Sequence, residues 1–237
     1  MMGKSHLVIS TGVTLSVLGI IDEKITLPVI AVTAVSALLP DIDEPNSLLV
    51  SRALPTRFIQ FLKLALVGLG GFLYFFGQAF APWNIILAVL VGVVSLMPTR
   101  SLRNIVMILI GAGLILFGNT FIPWNYIIGS LLVICALLPH RGLTHTLYGV
   151  LGWTALLYFS TSGYSNTLWI AGGLSYLLHL LADSLTNRGI RPIPPLDWRL
   201  KFNLMSTGTR KGSFVEGGFV LLTFFLVYIV FLRHIAI

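Results

Sequence analysis

Charged side chains are scarce in this sequence of 237 residues, of which Asp, Glu, Lys and Arg make up only 10%. A typical soluble domain is about 25% charged, whereas here 56% of the residues are hydrophobic and the mean hydropathy is +0.94. This composition excludes a disordered chain and a soluble nucleic-acid binder. Because Cys135 is the single cysteine, a disulfide scaffold is excluded as well. The sequence therefore predicts an all-α, polytopic membrane protein.

Apolar runs between charged or turn-forming segments predict about nine transmembrane helices. They are expected near residues 7–21, 25–40, 62–80, 83–98, 104–118, 123–139, 143–160, 165–186 and 213–232. Several runs are shorter than the roughly 20 residues that a full crossing needs, so some helix pairs could be re-entrant. Glycines at 68–71 and 111–113 are expected where helices pack closely.

Basic residues are distributed unevenly over the loops that nine crossings would produce. With the N-terminus in the cytoplasm, 13 of the 15 Lys and Arg residues fall inside, and only Lys24 and Arg233 fall outside. Cytoplasmic loops of membrane proteins carry an excess of Lys and Arg. The bias predicts an N-in, C-out topology, and it accounts for the net charge of +7 without a nucleic-acid partner.

A helix pair is repeated in the sequence at an offset of 41 residues. The tripeptide Pro-Trp-Asn at 82–84 recurs at 123–125, and the helix end at 95–100 matches that at 136–141. A looser third copy of the helix end lies at 36–41. Proline cannot continue a helix, so each copy is expected to stop at the cytoplasmic face. The middle copy ends in Thr-Arg rather than in Asp or His, and we expect it to lack the chemistry of the other two.

Ionisable side chains cluster at the cytoplasmic side of the predicted topology. They are His6, Asp41, Asp43, His140, His145, His179 and Asp183. His179 and Asp183 are one helical turn apart and share a helix face. His140 and His145 flank a helix start at which Gly142 lets the backbone turn. Ionisable groups in apolar segments are costly, so their convergence indicates a functional site.

Imidazole nitrogens and carboxylate oxygens together predict a site for one or two divalent metals, Zn, Mn or Fe. Such a metal lowers the pKa of a bound water towards about 7 and polarises a phosphoryl or carbonyl oxygen. Other interpretations stay open for single residues. His6 could be a hydrogen-bonded structural residue, His179 and Asp183 could form an ion pair or a proton relay, and the Asp-x-Asp at 41–43 could be a helix-ending turn. His234 is expected to be a solvated terminal residue.

Residues beside these candidate ligands have two possible roles each. Arg141 could clamp an anionic oxygen with its guanidinium, or it could only anchor the topology. Thr144 and Thr146 could cap a helix, or Thr144 could support a metal ligand. Ser47 is expected to cap a helix or a turn rather than to act as a nucleophile. The sequence contains neither a Ser/His/Asp nucleophile elbow nor a Gly-rich phosphate loop.

The longest polar stretch, Asn187–Gly212, contains six basic residues, three prolines and Trp198. We expect it at the cytoplasmic membrane surface, near anionic headgroups. It could be a simple connecting loop, or it could cover the metal site, because it directly follows Asp183.

Four sequence motifs follow one another along the chain. They are Ser5-His6-Leu7, then Leu38-Leu39-Pro40-Asp41-Ile42-Asp43-Glu44-Pro45-x-Ser47, then His140-Arg141-Gly142-x-Thr144-His145, and finally Ser175-Tyr176-Leu177-x-His179-x-x-x-Asp183-x-Leu185-Thr186-x-x-Gly189. Together they resemble the YdjM family, LexA-regulated inner-membrane proteins described as metal-dependent hydrolases. The resemblance covers about residues 4–50 and 139–218 of the single integral-membrane domain expected over residues 1–237. The helices at about 61–138 are interpreted as an insertion.

The resemblance implies residence in the bacterial cytoplasmic (inner) membrane and a hydrolase activity of phospholipase-like type. The polar residues of the family motifs map onto His6, Asp41, Asp43, His140, Arg141, His145, His179 and Asp183. In the family the connection from the Asp-x-Asp loop to the His-Arg-Gly motif is short, whereas about 80 residues intervene here. These residues could reshape access to the site.

The sequence thus predicts a membrane-bound metal-dependent hydrolase that acts at the cytoplasmic face on an ester or phosphodiester of a lipid or lipid-linked substrate. Metal-activated water would attack the bond, and Arg141, the predicted catalytic residue, would stabilise the developing negative charge. Two alternatives stay open: a metal- or proton-coupled transporter, and a non-catalytic, metal-stabilised membrane protein. The expected partners are the lipid bilayer and the substrate, with no nucleic acid.

Overall fold

The computed structural model describes residues 1–138 and 142–232, and this part of the chain is all-helical, with 76% helix and no strand. Ten α-helices lie in the described residues. They are α1 (Gly3–Ile20), α2 (Leu27–Leu38), α3 (Leu48–Ala53), α4 (Thr56–Phe76), α5 (Trp83–Leu96), α6 (Thr99–Phe117), α7 (Trp124–Leu137), α8 (Leu147–Thr161), α9 (Asn166–Ser184) and α10 (Arg210–Val227). A π-helical turn, Tyr228–Leu232, extends α10.

Within the described residues, a helix lies at each of the nine predicted spans, and the short α3 is additional. Three helices are long and apolar enough to cross a membrane, namely α4, α6 and α10 with its extension to Leu232. The helices α5 and α7 are apolar but shorter. The all-helical fold is therefore confirmed, with three helices that could span a membrane, whereas nine crossings and the N-in, C-out topology stay predictions.

The largest difference in boundaries is at α4, which begins at Thr56 rather than near residue 62. Pro55 precedes the helix in an extended conformation, and the first turns carry polar side chains such as Arg57 and Lys63. Apolar runs mark the part of a helix that lipid can surround, and they miss a polar first turn. The sequence therefore placed the span correctly but began the helix too late.

The chain divides into two compact units. The terminal unit consists of Met1–Asp43 and Leu138–Ile237, and the central unit is Glu44–Leu137. The interpretation of residues 1–237 as one integral-membrane domain stays a prediction.

Helix α9 is the centre of the terminal unit, because it packs against α1, α2 and α8. Small residues on its faces, among them Ala171, Gly172 and Ser175, are fully or almost fully buried. Small side chains let neighbouring helices approach closely. Helix α1 also packs against α2 and α10. This arrangement buries the C-terminal part of α9, with His179 and Asp183, inside the unit.

Two short turns bring further polar residues towards α9. Helix α2 ends at Leu38 and passes into a 3-10 turn, Leu39–Asp43, in which Pro40 cannot donate a backbone hydrogen bond. A second 3-10 turn, Leu143–His145, precedes α8. Thr146 caps α8, since its Oγ1 accepts a hydrogen bond from the Gly149 amide at 3.3 Å, which confirms the capping role predicted for it.

The central unit contains two helix pairs, α4–α5 and α6–α7, that correspond at the offset seen in the sequence. In each pair a glycine, Gly77 or Gly118, ends the first helix, and its amide donates to the carbonyl four residues earlier. A 3-10 turn of three residues follows in both pairs, and then a helix of 14 residues begins at the repeated Trp. The asparagines Asn84 and Asn125 are buried in both copies.

The expectation of close helix contacts at the glycines is correct for two positions. A Cβ at Gly111 would lie 2.6 Å from the Gly129 carbonyl oxygen, and one at Gly70 would lie 3.3 Å from the Ala88 carbonyl oxygen. It is wrong for Gly68, Gly71 and Gly113, where a Cβ would meet no described atom within 4 Å. These three glycines lie on the outer face of their helices.

A buried arginine organises the segment that precedes α4. Arg103 of α6 is only 3% exposed, and its guanidinium donates to the carbonyls of Leu54 and Pro45 at 3.0 Å each. It also donates to Asn46 Oδ1 at 2.9 Å and to Thr56 Oγ1 at 3.1 Å. In the same segment Ser47 caps α3 by accepting a hydrogen bond from the Val50 amide at 3.3 Å, which confirms the predicted capping role.

Candidate metal centre

Four segments of the terminal unit bring predicted site residues together. Helix α1 contributes His6, the turn after α2 contributes Asp41 and Asp43, the turn before α8 contributes His145, and α9 contributes His179 and Asp183. All are buried except Asp41, whose side chain is 21% exposed. Residues that are far apart in the sequence thus form one buried His/Asp cluster.

Four side-chain atoms form the core of this cluster. His145 Nε2 lies 3.3 Å from Asp41 Oδ1 and 3.5 Å from Asp183 Oδ2. His179 Nε2 lies 3.8 Å from the same Asp41 oxygen and 4.0 Å from the same Asp183 oxygen. Two imidazole nitrogens and two carboxylate oxygens therefore face one point.

His6 lies on the other side of Asp183. Its Nε2 is 3.2 Å from Asp183 Oδ1, and its ring stacks on that of His179 with centroids 3.7 Å apart. The amino group of Met1 also lies 3.0 Å from Asp183 Oδ1. Asp183 thus directs one oxygen to His6 and the other to His145 and His179.

The orientation of the His179 ring is set by the backbone of α2. His179 Nδ1 lies 2.7 Å from the Ala37 carbonyl oxygen, and a carbonyl can only accept, so Nδ1 carries the proton. In the neutral ring, Nε2 then presents a lone pair to the carboxylates of Asp41 and Asp183. This buried nitrogen has no hydrogen-bond partner among the described residues. A divalent cation between this lone pair and the two carboxylate oxygens would satisfy all three groups.

Thr144 and Asp43 orient the His145 ring through its Nδ1 atom. The Thr144 hydroxyl donates to Asp43 Oδ2 at 2.6 Å, and His145 Nδ1 lies 3.2 Å from the same hydroxyl oxygen. Because the single hydroxyl proton points to Asp43, the geometry favours Nδ1–H as the donor to Thr144. Metal-binding histidines are commonly oriented in this way by a partner on the second ring nitrogen.

Asp43 therefore occupies a different position from the other predicted ligands. Its Oδ2 is 3.9 Å from His145 Nδ1, the ring nitrogen that points away from Asp41 and Asp183. The sequence treats Asp41 and Asp43 as equivalent because they are two residues apart, but the 3-10 turn directs them to opposite sides of His145. A direct bond from Asp43 to a metal stays a prediction.

Electrostatics keep Asp41 ionised. Burial raises the pKa of its carboxyl group, but the interactions with His145, His179 and His6 lower it by more, so the net pKa lies below the ordinary value of 3.8. The carboxylate form is the one that binds a metal.

The donor set fits a divalent cation. Two groups have ligand atoms within 4.8 Å of one another, His6 with Asp41 and His179, and His145 with His179 and Asp183. Ligands at about 2.0–2.1 Å from a tetrahedral Zn²⁺ are about 3.3 Å apart, close to the shorter separations at His145. Mixed imidazole and carboxylate donors also suit Mn or Fe. These buried residues could hold a metal ion, and its identity stays open.

Two predicted site residues, His140 and Arg141, lie outside the described residues, as does His234.

The sequence analysis missed Tyr176, whose hydroxyl donates to the Thr144 carbonyl at 2.7 Å and so steadies the turn that bears His145. A signal for it was present, since Tyr176 precedes His179 by three residues and such residues share a helix face.

The polar stretch after α9 is folded against the terminal unit. The amide and carbonyl of Ile190 exchange hydrogen bonds with those of Leu200 at 3.1 and 3.0 Å, and the Leu147 amide donates to the Pro192 carbonyl at 2.9 Å. Beside it lies a cavity of about 530 Å³. The described residues that line it are His145, Arg188, Gly189, Ile190, Arg191 and Arg199. Residues of this stretch thus line a cavity together with His145, and a cover over the metal site stays a prediction.

The helices and the cluster define a class, that of all-helical proteins with helices able to span a membrane and a His/Asp group that could hold a metal ion. The sequence model of the family described as "YdjM inner membrane protein" matches residues 1–236. The chain therefore belongs to the YdjM family of inner membrane proteins. The match spans α4–α7 as well as the segments 4–50 and 139–218 that carry the motifs. No curated protein and no solved structure matches the chain.

Proposed function

We propose that this protein is a membrane-bound metal-dependent hydrolase. The observation that supports the proposal is the convergence of two imidazole nitrogens, from His145 and His179, on single oxygens of Asp41 and Asp183 at 3.3–4.0 Å. A divalent metal in such a site supplies Lewis acidity and lowers the pKa of a water molecule. In hydrolysis, the water oxygen bonds to the phosphorus or carbonyl carbon, and the ester oxygen leaves with a proton.

Each residue of the cluster has its own proposed role in this reaction. His145, His179, Asp41 and Asp183 would hold the metal, and His6 would be a further ligand, since its ligand atom lies within 4.8 Å of those of Asp41 and His179. Asp41 is the least buried of these side chains, so the open position that a catalytic site needs is proposed beside it. Arg141 would stabilise negative charge on the reacting group, and His140 would be a further ligand.

The substrate is proposed to be an ester or phosphodiester of a lipid or lipid-linked molecule, which gives a phospholipase-like reaction at the cytoplasmic face of the inner membrane. Support comes from the family, from the apolar helices able to span a membrane, and from the excess of Lys and Arg on the predicted cytoplasmic loops.

The test is the metal content of the purified protein. The full chain is purified in detergent and analysed for bound metals, alongside His179→Ala and Asp183→Asn. We expect stoichiometric Zn, Mn or Fe in the wild type and a loss of at least about tenfold in occupancy in both variants, since each change removes a ligand atom. Asp22→Asn is the matched control, because Asp22 is an exposed carboxylate outside the cluster, and it should keep its metal.

A folded wild type without metal, even after reconstitution with each ion, would overturn the proposal. Metal-loaded protein is then assayed on phospholipid and phosphodiester substrates. Hydrolysis lost in Arg141→Gln with metal retained would support the enzyme, whereas a non-catalytic metal-stabilised protein would tolerate that change.

A row of buried hydroxyls favours transport as a second candidate function. Ser10 and Thr14 follow His6 at four-residue intervals on one face of α1, and both are fully buried. Their hydroxyl oxygens have no hydrogen-bond partner among the described residues. Such groups suit ordered water, and a polar row that leads away from ionisable residues is typical of a proton or ion path. Bound metal without hydrolysis of any substrate would favour this alternative.

A further inference from the structure

We infer that the cavity beside His145 binds a phosphate group, so that the substrate of the proposed hydrolase is a phosphate ester rather than a carboxylic ester. This inference rests on the proposed function for its link to catalysis, but the binding itself is independent of turnover. The cavity, here called the arginine pocket, has a volume of about 530 Å³. That size is within the range of about 300–1,000 Å³ found for small-molecule sites.

The fold of the polar stretch brings the arginines together. Ile190 and Leu200 are paired in an antiparallel bridge, so Arg191 and Arg199, one residue further along on each side, are neighbours across it. Gly189 has a φ of +60°, and a Cβ there would lie 2.5 Å from the Leu200 carbonyl oxygen. The close approach therefore requires glycine, and it directs Arg188 towards the same cavity.

The charge of the arginine pocket is unbalanced. Of its three guanidinium groups, that of Arg191 has an acidic partner, Asp197, at 3.0 Å, and both side chains are exposed. No salt bridge involves Arg188 or Arg199 among the described residues. All three arginines are exposed, and guanidinium groups around one cavity create a positive potential that attracts anions. Phosphate is the anion whose several oxygens match the forked donors of arginine.

His145 connects this pocket to the candidate metal centre. It lines the arginine pocket, and its Nε2 lies 3.3 Å from Asp41 Oδ1. A phosphate bound by the arginines would therefore lie beside the residues proposed to hold the metal. A carboxylic ester group is itself neutral, so in a phospholipid the phosphate is the group that the arginines would hold beside these residues.

The surroundings of the pocket indicate that a membrane lipid supplies the phosphate. The same stretch exposes four large apolar side chains, each 56–59% exposed. They are Leu196, Trp198, Phe202 and Leu204. Exposed aromatic and apolar residues next to arginines are typical of segments at the membrane–water interface. A soluble phosphate ester is the other possible source, and the experiment separates the two.

The experiment measures equilibrium binding to the full chain in a non-ionic detergent. The probes are dihexanoyl phosphatidylglycerol, the diacylglycerol with the same chains, and inorganic phosphate. We expect the phosphatidylglycerol to bind with an affinity that falls by at least about tenfold in Arg188→Gln/Arg199→Gln, because charge-assisted hydrogen bonds are lost. Lys201→Gln is the matched control, a basic residue of the same stretch that does not line the pocket, and its affinity should stay within about twofold of the wild type.

The outcomes separate three questions: whether the pocket binds phosphate, whether a lipid supplies it, and whether the proposed function holds. Unchanged binding in the double variant, an equal loss in Lys201→Gln, or equal binding of the diacylglycerol would overturn the inference. Inorganic phosphate that binds as tightly as the phosphatidylglycerol would overturn the lipid source. The titration is repeated after metal has been removed with a chelator. Binding that persists there, in a protein that proves to hold no metal and hydrolyse nothing, supports the pocket while the proposed function fails.

Discussion

The terminal and central units are both built from apolar helices, but they bury polar side chains in opposite ways. In the central unit, the Arg103 guanidinium donates four hydrogen bonds to groups that are all acceptors. In the terminal unit, His179 Nε2 presents a lone pair to carboxylate oxygens 3.8 and 4.0 Å away. The first arrangement is complete without a ligand, whereas the second is one that a bound cation would complete.

The comparison teaches that burial alone does not identify a functional residue. Arg103 and His179 are both deeply buried, at 3% and 0% exposure, so burial does not separate them. What separates a structural group from a ligand-binding one is whether the protein supplies its partners.

The largest expected effect is a loss of stability in the central unit. Arg103→Met leaves the buried carbonyls of Leu54 and Pro45 without this donor, so we expect a loss of about 3 kcal/mol in the free energy of unfolding. The measurement is a denaturant titration of the protein in mixed micelles. Arg100→Met is the control, since Arg100 forms an exposed pair with Glu44 at 3.2 Å, and it should cost less than about 1 kcal/mol.

Equal losses in the two arginine variants would show that the hydrogen bonds of Arg103 are not what stabilises the segment before α4. The metal content per folded molecule should be unchanged in both, because neither residue belongs to the terminal unit.

Much of the fold could be predicted from the sequence, because long apolar runs can form only helices in a membrane. The convergence of His6, Asp41, His145, His179 and Asp183 could also be predicted in outline, since the positive-inside rule placed them all on one side. The repeat offset was visible because Pro, Trp and Asn recur together.

The directions of individual side chains could not be predicted. Spacing in the sequence gives no sign that the turn Leu39–Asp43 is a 3-10 helix, and this turn separates Asp41 from Asp43. The placement of Arg188, Arg191 and Arg199 around one cavity with His145 was hidden for a similar reason, because it depends on the pairing of Ile190 with Leu200. Apolar periodicity reports none of these long-range contacts.

A smaller effect is expected in the terminal unit, at the support of His145. Thr144→Val removes the hydroxyl that lies between Asp43 Oδ2 and His145 Nδ1, so we expect metal affinity to fall by about 10–100-fold with the fold retained. The measurement is competition with a chelator of known affinity. Thr144→Ser restores the hydroxyl and should restore most of the affinity.

Wild-type affinity in Thr144→Val would show that His145 is oriented by another contact. A loss that Thr144→Ser fails to rescue would point to the threonine methyl group, and thus to packing instead of hydrogen bonding.

The smallest effect is expected at the helix contacts of the repeat in the central unit, where the pairs α4–α5 and α6–α7 can be compared. Gly111→Ala places a Cβ 2.6 Å from the Gly129 carbonyl oxygen, so α6 and α7 must separate, and we expect a loss of about 1–2 kcal/mol in the free energy of unfolding. Gly70→Ala, the corresponding change in the first helix pair, meets its nearest atom at 3.3 Å and should cost less. Gly113→Ala lies two residues away on the outer face of α6 and should be neutral or slightly stabilising, because alanine favours a helix over glycine by about 1 kcal/mol. The same denaturant titration measures all three. If Gly111→Ala and Gly113→Ala had equal effects, helix propensity and not close packing would explain the glycines of the repeat.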